Sequence, residues 1–300
     1  MLAGSVTAAA DLLRVTQPTI SKLIAQLEIN TKLKLFDRVR GRLIPRREAH
    51  ALMHDVEKVV QAVDEVGRSA RNLARGHSGH IRVAAIPSLG MSFFPRAIAS
   101  FVASRPQVGV TLIVREAGYV NEWVAAQSLD IGFVPEGGSV ATGTISTRFR
   151  GSSNAVCVLP QNHRLAHKSV IRPADFAEER VISMGREPTF RYLIDRAFVE
   201  ANIGRKVAIE TNNFAAACLL VAEGAGISVV DPFSASTSYD SGGIVLRPFR
   251  PEVPFLVNII RPVNRPIPLL VEDFVSHLSD EAQRMEERLK KVLVARPSSR

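Results

Sequence analysis

The sequence predicts an α/β protein built from a small basic helical head, one long connecting helix and a larger body of alternating strands and helices. Three observations predict it. Positive charge is concentrated at the N-terminus, an apolar seam recurs at alternating spacings of three and four through residues 49–73, and short β-branched runs alternate with helical segments from residue 81 onward. The 300 residues, 46% of them hydrophobic, suffice for two or three domains with real cores. The charged share, 22%, is that of an ordinary soluble chain and argues against global disorder. Apolar runs such as residues 215–222 and 226–230 fall short of a membrane span. The first seven residues lack the basic start and long apolar stretch of a signal peptide, so a cytoplasmic location is expected. The two cysteines, Cys157 and Cys218, have no second Cys or His at ligand spacing and read as two buried thiols. No metal and no cofactor are expected.

The net charge is +9, and its distribution is informative. Residues 1–47 hold nine basic residues (Arg14, Lys22, Lys32, Lys34, Arg38, Arg40, Arg42, Arg46 and Arg47) against three acids (Asp11, Glu28 and Asp37). A basic end on a nearly balanced body is the footprint of a segment that meets polyphosphate. Ser5 or Thr7 caps a first short helix, three alanines favour it, and Leu12 and Leu13 give it an apolar side. Arg14-Val15-Thr16 makes a tight turn. Thr16 is a good N-cap for a second helix running to about Glu28, with Pro18 in the first turn, where its missing N–H costs nothing.

Setting successive residues of that helix about 100° apart puts Ile20, Leu23, Ile24 and Leu27 on the core side. Pro18, Ser21, Lys22 and Ala25 face the other way, flanked by Gln17, Thr19 and Gln26. This outward face is small and polar with one cation, the profile of a helix that enters a DNA major groove. An ordinary solvated face is richer in Glu and Lys; here the single acid, Glu28, stands at the far end. Leu33, Leu35 and Phe36 read as core anchors. Residues 38–43 form a basic hairpin with Gly41 at its tip, a wing whose arginines would lie along the phosphates. The predicted DNA-contacting set is therefore Thr16, Gln17, Pro18, Thr19, Ser21, Lys22, Arg38, Arg40 and Arg42, with double-stranded promoter DNA as partner.

Ala8-Ala9-x-x-Leu12, Thr16-Gln17-Pro18-Thr19-Ile20-Ser21, Leu27-Glu28 and Leu35-Phe36-Asp37-Arg38, in that order, resemble the winged helix-turn-helix of LysR-type transcriptional regulators. The resemblance places Gln17, Pro18, Ser21 and Lys22 on the family's DNA-contacting helix and Arg38, Arg40 and Arg42 on its wing. The chain departs from the pattern twice. The family's first helix precedes Gly4-Ser5 and Met1 aligns inside its end, so a late start or a truncated chain is expected, with Leu12, Leu13, Ile20 and Ile24 exposed on one side. The family also has a Thr near Arg46 followed by a Glu; Arg46-Arg47-Glu48 adds positive charge there, expected to strengthen phosphate contact.

Residues 48–74 contain no proline and one glycine, Gly67. Ala49, Leu52, Val56, Val59, Val63, Val66, Ala70 and Leu73 form a heptad seam narrower than a helix lying on its own domain would need. A homodimer through this helix is expected, since two heads read a two-fold operator. His50 and His54 have metal-binding spacing but no third ligand nearby, and read as a solvated pair. Residues 75–79 (Arg-Gly-His-Ser-Gly) read as a hinge.

From Ile81 onward, strands are predicted at 81–86, 108–115, 130–134, 157–159, 181–184, 207–210 and 227–230. Helices are predicted at 93–104, 120–127, 190–201, 215–223 and 268–294, with a turn at 87–90. The alternation means an α/β fold with mostly parallel sheets. Open α/β sheets bind ligands beyond the carboxyl ends of their strands, where helix N-termini favour anions. By that rule the candidate effector cleft is lined by Ser88, Leu89, Val134 and Glu136, by Ser183, Met184 and Gly185, by Thr211, Asn212 and Asn213, and by Asp231 and Phe233.

The family resemblance extends here through Phe101-x-x-x-x-Pro106-x-Val108, Leu129-Asp130-Ile131-Gly132 and the stretch from Leu220 to Ile227. It implies a two-lobed effector domain similar to a periplasmic binding protein, with lobes at 81–155 plus 261–293 and at 156–260. The implied domains are a head at 1–47, a linker helix at 48–75, a hinge at 76–80 and an effector-binding body at 81–300. A homotetramer and contact with RNA polymerase are further implied. Glu210-Thr211-Asn212-Asn213 and residues 230–235 resemble the subgroup regulating opine catabolism and lysine biosynthesis. That points to an amino acid or amino-acid conjugate as effector, its ammonium paired by Glu136 or Asp231. Two rivals fit less well. An α/β enzyme would need a nucleophile elbow, P-loop, dinucleotide fingerprint or metal cluster. A transport solute-binding protein would need a secretion signal and no basic head.

Overall fold

The computed structural model describes residues 5–39, 42–53, 55, 56, 59, 60, 63, 79–138, 141–150, 153–185, 188–263 and 265–294. The chain divides into two compact units, Met1–Ala74 and Arg75–Arg300.

In the first unit, α1 (Val6–Leu13) begins where the Ala8 N–H donates to Ser5 Oγ (3.1 Å) and ends at Arg14, which turns left-handed (φ 52°). Helix α2 (Gln17–Thr31) starts from an extended Thr16 with Pro18 in its first turn and ends at left-handed Lys32, one turn beyond the expected Glu28. Glu28 is not a free acid at the helix end. Its Oε1 accepts the N–H groups of Leu35 (2.7 Å) and Phe36 (3.0 Å), tying α2 to the first strand of the wing. Strands β1 (Phe36–Val39) and β2 (Arg42–Pro45) pair antiparallel, Val39 opposite Arg42, as a tight hairpin requires. Residues 40 and 41 lie outside the described residues. Helix α3 starts at residue 47, and its described positions through residue 63 are helical.

Ala10, Ile20, Leu35 and Ala49 form the buried centre of this unit. Leu12 and Leu13 are exposed as expected, but Ile20 is buried and Ile24 half-buried, because α1 folds against α2. Leu23, Leu27 and Leu33, expected in the core, are exposed instead. The 100° wheel puts Leu23 and Leu27 on the side of Ile20 and Ile24, and no described element of the single chain covers them.

The second unit has two lobes. Lobe 1 is built on a five-stranded sheet in the order β4-β3-β5-β14-β6. Strands β3 (Gly79–Ala85), β4 (Val108–Val114) and β5 (Ile131–Pro135) run parallel, and β14 (Val257–Pro262) lies antiparallel between β5 and β6 (Thr144–Arg148). The sheets are therefore mixed rather than mostly parallel. The turn expected at 87–90 is helical: Leu89 and Gly90 N–H donate to Ile86 O, and a π-helical turn, Leu89–Phe93, runs straight into α4 (Phe94–Ala103). Helix α5 (Ala117–Ala125) covers the opposite face, where Gly132 lets Val120, Val124 and Ile260 close in. Asp130, just before β5, ties that strand to β3 and to the segment after β14. Its Oδ2 accepts the Arg82 N–H (2.8 Å) and its Oδ1 pairs with Arg265 (3.1 Å). Edge-to-face rings fill the core, with Phe94 against Phe133 (4.9 Å) and Phe101 against Phe274 (5.0 Å).

Strands β7 (Ser153–Asn154) and β13 (Pro254–Phe255) pair with each other where the chain crosses between lobes. The return crossing therefore precedes Val257, not Arg261, because all of β14 already pairs within the lobe-1 sheet. Lobe 2 combines an antiparallel sheet, β11 (Ser228–Val230), β8 (Val156–Pro160) and β12 (Ile244–Pro248), with the parallel pair β9 (Arg180–Met184) and β10 (Lys206–Thr211). Helices α6 (Pro188–Glu200), α7 (Phe214–Ala222) and α8 (Pro232–Asp240) complete it. The terminal helix α9 (Leu269–Val294) buries Val271, Phe274 and Leu278 in the lobe-1 core, while Leu289, Val292 and Leu293 pack with the lobe-2 strands. Its end thus holds both lobes. Cys157 and Cys218 are free and buried, and burial pushes the Cys218 thiol up to about 12.

Candidate nucleic-acid interface and effector site

Thr16, Gln17, Pro18, Thr19 and Lys22 stand exposed along the start of α2, and Ser21 is half-buried beside them. The polar groups are held lightly: Thr16 Oγ1 lies 2.8 Å from Thr19 Oγ1, and Gln17 Nε2 donates to Ser21 Oγ over 3.4 Å. Such exposed contacts exchange readily for base edges or phosphate oxygens. Lys22 has no carboxylate partner among the described residues. Arg38 and Arg42 lie on the paired strands of the wing, and Arg40 falls outside the described residues. Arg46 does not stand free for phosphate; its Nε lies 3.8 Å from Asp37 and 3.7 Å from Glu48.

The predicted effector residues separate into two groups. Leu89 and Phe233 are fully buried in one apolar cluster, where the Phe233 ring sits 5.4 Å from Phe93 of lobe 1. Val134 faces the core under α5 with Trp123. These three are packing residues, because the strand-end rule gives height along a strand and not which way a side chain turns. Glu136 is committed to Arg148, which donates from Nη2 over 2.6 Å. Ser183 and Met184 border a small internal cavity beside Arg191 and Asp195. The Gly185 N–H donates to Thr211 O (2.6 Å), locking the ends of β9 and β10 together.

Among the remaining positions, Asn213 reaches the other lobe. Ser88 opens the helical turn after β3 and is buried. Thr211 Oγ1 accepts the Asn213 N–H (3.2 Å), and Asn213 Oδ1 caps α7 through the N–H groups of Ala215 and Ala216. Asn212 stays exposed. Asn213 Nδ2 reaches Met91 Sδ of lobe 1 (3.4 Å). Asp231 caps α8, its Oδ1 accepting the N–H groups of Phe233 (2.9 Å) and Ser234 (3.0 Å). Its Oδ2 is sealed from solvent without a hydrogen-bond partner among the described residues. Burial raises the Asp231 carboxyl to about 6, against the pull of the Ser234 hydroxyl and the capping N–H groups. Ser92 Oγ of lobe 1 meets Ser234 Oγ of lobe 2 at 3.3 Å. Sequence reasoning missed Met91, Ser92 and Ser234. Ser92 lies one helical turn after Ser88, and Ser234 in the first turn after the Asp231 cap, so helical periodicity from the named strand ends would have found both.

No described helix is long and apolar enough to cross a membrane. The description "Bacterial regulatory helix-turn-helix protein, lysR family" matches residues 1–49, and "LysR substrate binding domain" matches residues 74–283. The chain is 39% identical over 278 residues to the Transcriptional activator protein LysR of Escherichia coli (strain K12), covering 93% of this chain and 88% of that protein. It is 37% identical over 250 residues to the octopine catabolism/uptake operon regulatory protein OccR of Rhizobium meliloti (83% and 81% covered). It is 34% identical over 283 residues to the regulatory protein NocR of Agrobacterium tumefaciens (strain T37) (93% and 92%). Its fold is similar to the crystal structure of CbnR, a LysR family transcriptional regulator, with a TM-score of 0.71 at 21% identity over 93% of this chain and 94% of that one. CbnR complexed with its target DNA gives 0.69 at 22% identity, over 93% and 95%. These relatives are regulators and not enzymes. With both parts matched over nearly its whole length, the chain belongs to the LysR family of transcriptional regulators, in which a helix-turn-helix head is joined to an effector-binding domain.

Proposed function

We propose that this regulator reads promoter DNA with Thr16, Gln17, Pro18, Thr19, Ser21 and Lys22 in the major groove and with Arg38, Arg40 and Arg42 along the phosphates. The observation that carries the reading is the exposed start of α2, which presents hydroxyl and amide groups around a lysine with no partner among the described residues. It acts in the cytoplasm as a homodimer joined through α3, with a homotetramer and RNA polymerase as further assemblies. The exposed valines Val56, Val59 and Val63 on one stripe of α3 support the pairing.

The effector is an amino acid or amino-acid conjugate held between the lobes. Similarity to OccR, whose name ties it to octopine catabolism, supports this class. Ser88 and Thr211 offer hydroxyls to its carboxylate, and Asp231 Oδ2, which has no partner among the described residues, receives its ammonium. Ligand entry replaces the Ser92–Ser234 contact.

The test is a salt titration of promoter-DNA affinity for the parent and Lys22→Ala. The variant should bind more weakly, discriminate less between promoter and random DNA, and lose about one unit of the log–log salt slope. Unchanged affinity and slope would reject the α2 assignment.

A further inference from the structure

We propose that lobe 1 carries a second small-molecule site, away from the junction of the lobes, that takes a free α-amino acid with a branched apolar side chain. The site arises from an incomplete layer. Helix α9 crosses the sheet over its inner strands, and its first turns leave a cavity of about 290 Å3 against β5, β14 and β6. That volume sits near the lower end of the range for small-ligand pockets, so the occupant is small.

The walls define the ligand's chemistry. Ile131 and Ile259 lie on one face of the sheet, and Val271 and Val275 face them from α9. Arg261 follows Ile259 by two residues on β14, so it shares that face. Asp130 also borders the cavity, but both its oxygens are engaged, by the Arg82 N–H and by Arg265. Two charges remain at the rim: Arg261 on the sheet and Glu272 on the helix, and neither side chain has a hydrogen bond or ion pair to any described residue.

An aliphatic floor beneath one unpaired cation and one unpaired anion is the complement of an apolar zwitterion. Arg261 offers a fork of N–H donors to a carboxylate, Glu272 accepts from an ammonium, and the aliphatic side chain covers the isoleucines. A fatty acid would leave Glu272 unmatched, and an amine would leave Arg261 unmatched. This site goes beyond the promoter-reading function and stands or falls independently of it, because none of its residues belongs to the inter-lobe set.

The experiment is calorimetric titration of the full-length chain with L-leucine, 4-methylpentanoate and 3-methylbutylamine. Leucine should bind saturably, and each analogue, lacking one charge, at least about tenfold more weakly. Arg261→Gln should weaken leucine binding about tenfold or more, Glu272→Gln should weaken it severalfold, and Val275→Phe, which fills the cavity, should abolish it. Unchanged melting temperatures and promoter affinity in these variants show that the fold is kept. No saturable heat up to about 10 mM leucine, or equal leucine affinity in parent and Arg261→Gln, overturns the proposal.

Discussion

The Oγ atoms of Ser92 and Ser234 lie 3.3 Å apart with both side chains buried, one from each lobe of the effector domain. Ser92 stands in the helical turn that follows the first strand of lobe 1, and Ser234 in the first turn of α8 in lobe 2. Phe93 and Phe233 pack alongside, and Arg96 reaches Asp240 at 3.6 Å. The polar contact is thus enclosed by an apolar one, where losing a hydroxyl leaves its partner unsatisfied. Ser92→Ala and Ser234→Ala should each lower unfolding free energy by about 1 kcal/mol, and the double variant should lose less than the sum. Urea denaturation of the four proteins measures the coupling; strict additivity would deny the contact.

Asp231 lies behind that contact, and its raised carboxyl sets a sign. The unfolded value is about 3.9, so the native state prefers the protonated form. The stability this group contributes is complete below about pH 4 and is lost as pH rises through the native value of about 6. Asp231→Asn keeps a good helix cap but does not titrate. Relative to the parent, it should gain roughly 2–3 kcal/mol in unfolding free energy between about pH 4 and pH 7. Parallel stability curves across that window would contradict the burial of an ionisable Asp231.

Gly132 sits where a Cβ would approach Val120 to 2.6 Å and Ile260 and Val124 to 2.9 Å. These neighbours are branched and buried on the α5 face of the sheet, so none yields cheaply. Gly132→Ala should cost about 1–3 kcal/mol by overpacking, read as a lower melting temperature. A neutral substitution would mean that α5 is free to move off the sheet.

Val59 and Val63 are 63% and 66% exposed on α3, where the proposed homodimer would bury them. If α3 pairs as proposed, replacing both with Glu should separate the dimer, since like charges would face one another across the seam. Sedimentation equilibrium should then show the monomer mass, and promoter affinity should fall because the two half-sites lose their linkage. A dimer that persists would place the pairing surface elsewhere.

Much of the head was legible in the sequence. Ser5 marks the start of α1 through its hydroxyl, and Thr16 and Pro18 mark the start of α2, although Thr16 makes no side-chain cap hydrogen bond. Strand β6, with Thr144, Ser146 and Thr147, was not legible; it is a largely polar edge strand without the apolar alternation that signals one. Strand β12, which follows the left-handed Gly242 and Gly243, also went unassigned. Val134 near the end of β5, and Leu89 and Phe233 just beyond strand ends, stood at the right height for a cleft, yet all three pack into cores.

By itself the sequence determined what each segment prefers: where charge gathers, where helices begin, which period each run follows. Those preferences depend on neighbours a few residues apart, so they are readable in order along the chain. Only the tertiary structure decided that Ser92 meets Ser234, that Asp231 keeps one oxygen unpartnered, and that Arg261 and Glu272 border one cavity. Ser92 and Ser234 are far apart in the chain, and close packing of the whole core, which no local period encodes, sets all three.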